Sequence, residues 1–146
     1  MTPHECPFCG LDDPAVTVYS DAVLQAVVSS APINRYHVLI IPRAHAERLT
    51  DLSPQVAAAV IGVAQRVGGA IAEAARPDGI TYITEDDLTG QGYNLVAHWK
   101  LHVIARFRGD GVRLDWNRSP DPGEAARAEV AAAVRTAIAL SGRRDG

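Results

Sequence analysis

Asn94-Leu95-Val96-Ala97-His98-Trp99-Lys100-Leu101-His102-Val103-Ile104-Ala105-Arg106 is the stretch from which the fold reads outward. Polar and apolar residues alternate from His98 to Val103, as in a strand with one face on a core. One long strand is expected over Leu95 to Phe107. On that reading His98, Lys100 and His102 share one face, and Trp99, Leu101 and Val103 turn to the other, towards a core. Two imidazoles and an amine at consecutive same-face positions form a polar face that a sheet does not bury without partners. The plain alternative is a solvated sheet face that carries cationic residues by chance.

Downstream, Gly109-Asp110-Gly111 turns the chain, and Val112-Arg113-Leu114 is expected to form a short edge strand. From Asp121-Pro122-Gly123 a helix runs to about Leu140 with Val130, Val134 and Ile138 on one face; Ser141-Gly142 ends it, and Arg143 to Gly146 is a frayed tail. Upstream, Asp86 to Gly92 is a polar loop, and Ile80 to Glu85 reads as a strand. Before it lies a helix with Ser53 as N-cap and Pro54 at its first position. Val56, Val60, Val63, Val67 and Ile71 give that helix one apolar face as far as Ala75, and Arg76-Pro77-Asp78-Gly79 stops it. Tyr36 to Ile41 is a strand ended by Pro42, and Val16–Tyr19 with Ala22–Ser29 reads as a hairpin about Ser20-Asp21. Strands, helix, strands, helix with short connections predict an α+β domain: an antiparallel sheet of about five strands, a long helix packed on it, and an additional C-terminal helix.

A chain of 146 residues, 47% apolar and 21% charged, fits one globular domain spanning 1–146. Fourteen basic against 17 acidic residues leave a net charge of −3 and no basic stripe, which argues against nucleic acid as a partner. No apolar run approaches the ~20 residues that span a bilayer, so no membrane partner is expected. Met1-Thr2-Pro3-His4-Glu5 lacks the charged-then-apolar pattern of a leader, and a cytoplasmic protein is expected. Thirteen of the fourteen basic residues are arginine; the single lysine is Lys100.

Cys6-Pro7-Phe8-Cys9 is the only cysteine pair. In a cytoplasmic chain a structural disulfide is not expected, which leaves metal or redox chemistry, with two plain thiols as the alternative. A redox pair would follow a strand and open a helix, and the short stretch before Cys6 leaves little room for that strand. Zinc is therefore the preferred reading.

The histidine-bearing stretch resembles the signature of the histidine-triad (HIT) family, His-φ-His-φ-His-φ-φ with φ apolar. His98 and His102 match its first and last histidines, and Val103-Ile104 its trailing apolar pair. Pro32-Ile33-Asn34-Arg35-Tyr36-His37-Val38-Leu39-Ile40-Ile41-Pro42-Arg43-Ala44-His45 is similar to the family's Pro, turn, Gly-His, apolar run and Pro-Lys-x-His. Cys6 and Cys9 match the Cys-x-x-Cys of its zinc-carrying bacterial members, so the resemblance covers about residues 5–107. It implies a nucleotide-binding homodimer that hydrolyses or transfers nucleotides at the α-phosphate. The family's middle histidine attacks phosphorus and its flanking histidines orient the phosphate. It further implies a structural zinc held by Cys6, Cys9, His45 and His98, a donor set suited to tetrahedral zinc.

Against that pattern, the nucleophile's position holds Lys100. An amine of pKa ~10.4 is neutral in only about one molecule in a few thousand at pH 7, and a shift of about 3 units would require ~4–5 kcal/mol of differential environment. A charged lysine is instead a good phosphate clamp. The family's loop asparagine becomes Asp87, its Gly-Gln becomes Tyr93-Asn94, and the following Ser or Thr becomes Leu95. These departures argue against ordinary hydrolase activity. Catalytic positions by resemblance are Lys100, His102 and His98; the ligand pocket would draw on Asn94, His37 and Asp87, although His37 also reads as a buried strand histidine. A bound nucleotide or other phosphorylated small molecule with weak or absent catalysis is the preferred expectation. The alternatives are an active hydrolase or transferase working through a lysyl-nucleotide, and a zinc-stabilised interaction module without a ligand.

Overall fold

Spacing at three and four residues gives the long helix its buried face, and Val60, Val63, Val67 and Ile71 do lie beneath it. This helix, α1 (Pro54–Ala75), starts where expected: the Ser53 hydroxyl accepts the Val56 N–H at 3.2 Å and Pro54 opens the first turn. It ends where Arg76 adopts a left-handed conformation, φ 48°, with its N–H bonded to the Ala72 carbonyl. Loss of the cap in Ser53→Ala is expected to lower stability by about 1 kcal/mol, read as a shifted urea midpoint at unchanged slope. In length and composition α1 is apolar enough to cross a membrane, with mean hydropathy 1.3, which corrects the expectation that no segment approaches that length. Its apolar face is instead packed on a sheet.

The computed structural model describes residues 5–87, 89–90, 92, 94–113 and 119–141. His4, Tyr93, Leu114 and the tail after Ser141, all named above, lie outside them. The chain divides into two compact units, residues 1–112 and 113–146. In the first, β1 (Thr17–Ser20), β2 (Leu24–Val28), β3 (His37–Pro42), β4 (Gly79–Ile83) and β5 (Leu101–Arg106) form one antiparallel sheet in the order β1-β2-β3-β5-β4. A single 3-10 turn at Leu49–Asp51 precedes α1. The second unit carries α2 (Glu124–Ser141), whose Val130, Val134 and Ile138 are exposed.

Alternation along the strands sorts the sheet into two faces. Leu24, Ala26, Val38, Ile40, Leu101, Val103 and Ala105 pack with the buried face of α1 in the main core. On the opposite face Val27, Leu39 and Ile41 form a smaller cluster, covered by Phe8, Leu11 and Val16 from the N-terminal segment. His37 and His102 belong to that second face by the same alternation, because Leu39 pairs with His102 and His37 with Ile104.

Two strand expectations are corrected. The long strand begins at Leu101, six residues later than Leu95, because the chain turns at 96–98, where the His98 N–H bonds the Val96 carbonyl at 2.7 Å. Val112 and Arg113 form no strand. Here Arg106 closes the turn: its guanidinium bonds both carboxylate oxygens of Asp110, at 2.7 and 3.1 Å, and the Val112 carbonyl at 2.9 Å. That side-chain closure occupies the Val112 carbonyl, which a strand ladder would otherwise use.

Candidate metal centre and anion pocket

Cys6, Cys9, His45 and His98 converge although 36 residues separate Cys9 from His45 and 92 separate Cys6 from His98. Cys6 Sγ lies 3.2 Å from His98 Nδ1, Cys9 Sγ 3.3 Å from His45 Nδ1, and Cys9 Sγ 3.6 Å from His98 Nδ1. All four donor atoms lie within 4.8 Å of one another. A tetrahedral zinc with metal–ligand bonds of about 2.0–2.3 Å needs ligand pairs about 3.3–3.8 Å apart, so the donor set fits such an ion after small adjustments. Two soft sulfurs and two imidazoles also select zinc over the hard, oxygen-seeking cations.

The protonation pattern agrees. His98 is fully buried, and its Nε2 sits 2.8 Å from the Pro42 carbonyl oxygen, an acceptor only. Nε2 therefore carries the proton and Nδ1 keeps its lone pair for a metal, the usual arrangement around a metal-binding histidine. Burial pushes the His98 pKa down, which favours the neutral ring. His45 Nε2 is buried without a hydrogen bond among the described residues, and Glu47 Oε1 lies 3.8 Å away. Burial and the neighbouring Cys6 push the Cys9 thiol up, so metal binding must release a proton.

Beside this cluster, Lys100 is 4% exposed. Its Nζ donates to Asn94 Oδ1 at 2.8 Å, to the Val96 carbonyl at 3.0 Å and to the His98 carbonyl at 3.1 Å. Three oxygen acceptors match the three protons of an ammonium; a neutral amine would point its lone pair at one of them. Burial pushes the Lys100 pKa down, while this coordination favours the charged form. No carboxylate lies within ion-pair distance of Nζ among the described residues. The hydrogen-bond partners of the ammonium are all neutral oxygens, and the nearby Cys6 thiol favours its charged form.

His37 and His102 meet across β3 and β5 as diagonal neighbours. The Ile33 N–H donates to His37 Nδ1 at 3.1 Å, so neutral His37 carries its proton on Nε2. That proton is donated to His102 Nδ1 at 2.9 Å, which leaves His102 with its own N–H on Nε2. Burial, then His37, then Lys100 lower the His102 pKa to about 4. At neutral pH His102 is an uncharged, oriented hydrogen-bond donor.

The structure thus brings Asn94 to Lys100 and His37 to His102. It engages Asp87 elsewhere: Oδ1 accepts the Thr89 N–H at 2.8 Å, and a Cβ on Gly92 would lie 2.8 Å from Oδ2. Three contributors escaped the sequence reading. Phe8 lies 5.6 Å below Lys100 Nζ and edge-on to His98, the Pro42 carbonyl fixes the His98 tautomer, and the Thr84 hydroxyl donates to the Lys100 carbonyl at 2.7 Å. Only Phe8 had a visible signal, its place inside Cys-x-x-Cys.

Comparison with known proteins bears on both sites. An uncharacterised HIT-like protein of Mycobacterium tuberculosis is 32% identical over 108 residues, 72% of this chain and 74% of that protein. The crystal structure of a zinc-bound histidine triad family protein from Mycobacterium smegmatis is 32% identical. It superposes with a TM-score of 0.67 over 94% of this chain and 99% of that one. Adenylylsulfatase HINT3 of Arabidopsis thaliana is 26% identical over 111 residues, 73% of this chain and 55% of that protein. The HIT domain profile itself matches residues 11–109, most of the first compact unit and all five strands of its sheet, and the five-stranded sheet with its long helix is the fold of solved HIT proteins. This chain belongs to the HIT domain family.

Proposed function

We propose that this HIT protein binds a nucleotide or another phosphorylated small molecule and has weak or absent hydrolase activity. The observation that carries the reading is the buried Lys100 ammonium, held by three neutral oxygens with no carboxylate partner among the described residues. A buried cation hydrogen-bonded to neutral oxygens is further stabilised by an anion brought next to it, and the oriented Nε2–H of His102 supplies a donor for that anion. Lys100 stands where the family carries its nucleophilic histidine. Its ammonium has no lone pair to attack phosphorus, which separates binding from turnover. The name of the Arabidopsis relative points to adenylylated anions as the first ligands to try.

In this reading Cys6, Cys9, His45 and His98 hold a structural zinc, because four protein ligands leave no open coordination position. Bound there, zinc supplies a cross-link between the N-terminal segment and the two histidine-bearing segments. The assembly is a cytoplasmic homodimer, which sedimentation at micromolar concentration tests directly. The ligand reading is tested with AMP and an adenosine phosphoramidate by calorimetry and intact mass. Saturable binding without an adduct or turnover is the expected result. Turnover with a Lys100-linked mass increase would replace this reading with the lysyl-nucleotide one, and absence of binding to both compounds would remove it.

A further inference from the structure

The metal cluster and Lys100 are built from the same few residues. His98 lends its ring to the cluster and its carbonyl to the Lys100 ammonium. Val96, the second carbonyl on Nζ, also accepts the His98 N–H in the turn that precedes β5. Phe8, between the two cysteines, lies 5.6 Å from Nζ and packs edge-on against His98 with ring centroids 5.9 Å apart. Lys100 therefore touches the support of three of the four donor residues.

We propose that Lys100 is a positioning residue for the metal centre: its ammonium ties the 94–98 turn so that His98 presents Nδ1 to the cation. Without the tie, the His98 carbonyl loses the ammonium and the Val96 carbonyl keeps only the His98 N–H, and the turn relaxes towards solvent to satisfy them. The His98 ring then loses its fixed approach, although the Pro42 bond still sets its tautomer. This role is independent of ligand binding, since it concerns the protein free of nucleotide and phosphate.

Electrostatics alone predicts the opposite sign. Removing a positive charge beside a dication would tighten metal binding, whereas removing a positioning group weakens it, typically by about 10–100-fold for groups that support a ligand. The experiment measures zinc affinity of the full chain by competition with a chromogenic chelator, in phosphate-free buffer. Cobalt(II) replaces zinc for a second readout of ligand geometry. Lys100→Met, which keeps an unbranched stem, is expected to bind zinc about tenfold or more weakly and to show weakened visible ligand-field absorption of tetrahedral cobalt. Zinc affinity equal to or above that of the parent, with an unchanged cobalt spectrum, overturns the proposal. Asn94→Ala covers the case in which Lys100→Met fails to fold, since it removes one acceptor and leaves the lysine. It is expected to weaken zinc several-fold and to speed amide exchange at 95–98; unchanged affinity and exchange overturn the proposal equally.

Discussion

Stripping the metal from the Cys6–Cys9–His45–His98 centre is expected to lower the unfolding temperature by about 10–20 °C. The four ligands come from three separate places: the segment before β1, the chain just after β3 and the turn before β5. Among the described residues of the segment before β1, Phe8, Leu11 and Val16 pack on the small cluster of Val27, Leu39 and Ile41, and two hydrogen bonds reach that segment from β2, Gln25 Nε2 to the Phe8 carbonyl at 3.3 Å and the Val28 N–H to the Val16 carbonyl at 2.9 Å. A metal present at about a thousandfold over its dissociation constant adds about 4 kcal/mol to the folded state. For a domain of this size each kcal/mol moves the midpoint by about 3–5 °C. Calorimetry before and after chelation reads the difference, and restored zinc should restore it. A variant carrying both Cys6→Ser and Cys9→Ser should unfold at the same temperature with or without chelator. If the parent also ignores the chelator, the cluster holds no stabilising ion. Because the thiols must lose protons to bind, the metal-dependent increment should also grow as pH rises through neutrality.

Most of the architecture was legible because it follows from residue types and their spacing. The core stripe of α1 and its Ser53–Pro54 start needed no tertiary information. β3 was visible for the same reason, since an unbroken run from Val38 to Ile41 is buried on both faces of the sheet. The start of β5 was not. Alternation through His98, Trp99 and Lys100 has the period of a strand, and the Trp99 and Lys100 side chains are indeed buried. What ends the ladder is an interaction no local pattern encodes: an ammonium that gathers the carbonyls of its own preceding residues. The metal centre divides likewise. Cys-x-x-Cys announces half of it, but its distant histidines were named only through family resemblance. The Pro42 carbonyl that selects the His98 tautomer has no signature at all, because every residue has a carbonyl. The partnership of His37 with His102 depends on register: β3 and β5 each showed a histidine, but only the pairing of Leu39 with His102 makes them diagonal neighbours.

That histidine pair makes the fold acid-sensitive. His102 titrates at about 4 in the folded protein, against an ordinary value of 6.5, with burial as the first cause and the nearby His37 and Lys100 as the others. Burial lowers the His37 value as well. A depressed histidine pKa means that the unfolded chain takes up its proton first as pH falls. The contribution of His102 is thus fully present above about pH 6.5 and is lost progressively as pH falls towards 4. The shift corresponds to about 3 kcal/mol at one unit per 1.36 kcal/mol, and partial exposure of the ring reduces this to about 2–3 kcal/mol. Protonation also breaks the geometry that gives the loss its direction. His102 Nδ1 accepts from His37 Nε2 at 2.9 Å, and a proton on Nδ1 would place two N–H groups head to head. Acid also expels metal from thiolates, so the comparison belongs in chelated protein, between the parent and His102→Gln, with urea unfolding at pH 7 and pH 4. Glutamine does not titrate, and its stability should fall less over that interval by about 2–3 kcal/mol. Equal losses in the two proteins would mean that folding does not lower the His102 pKa.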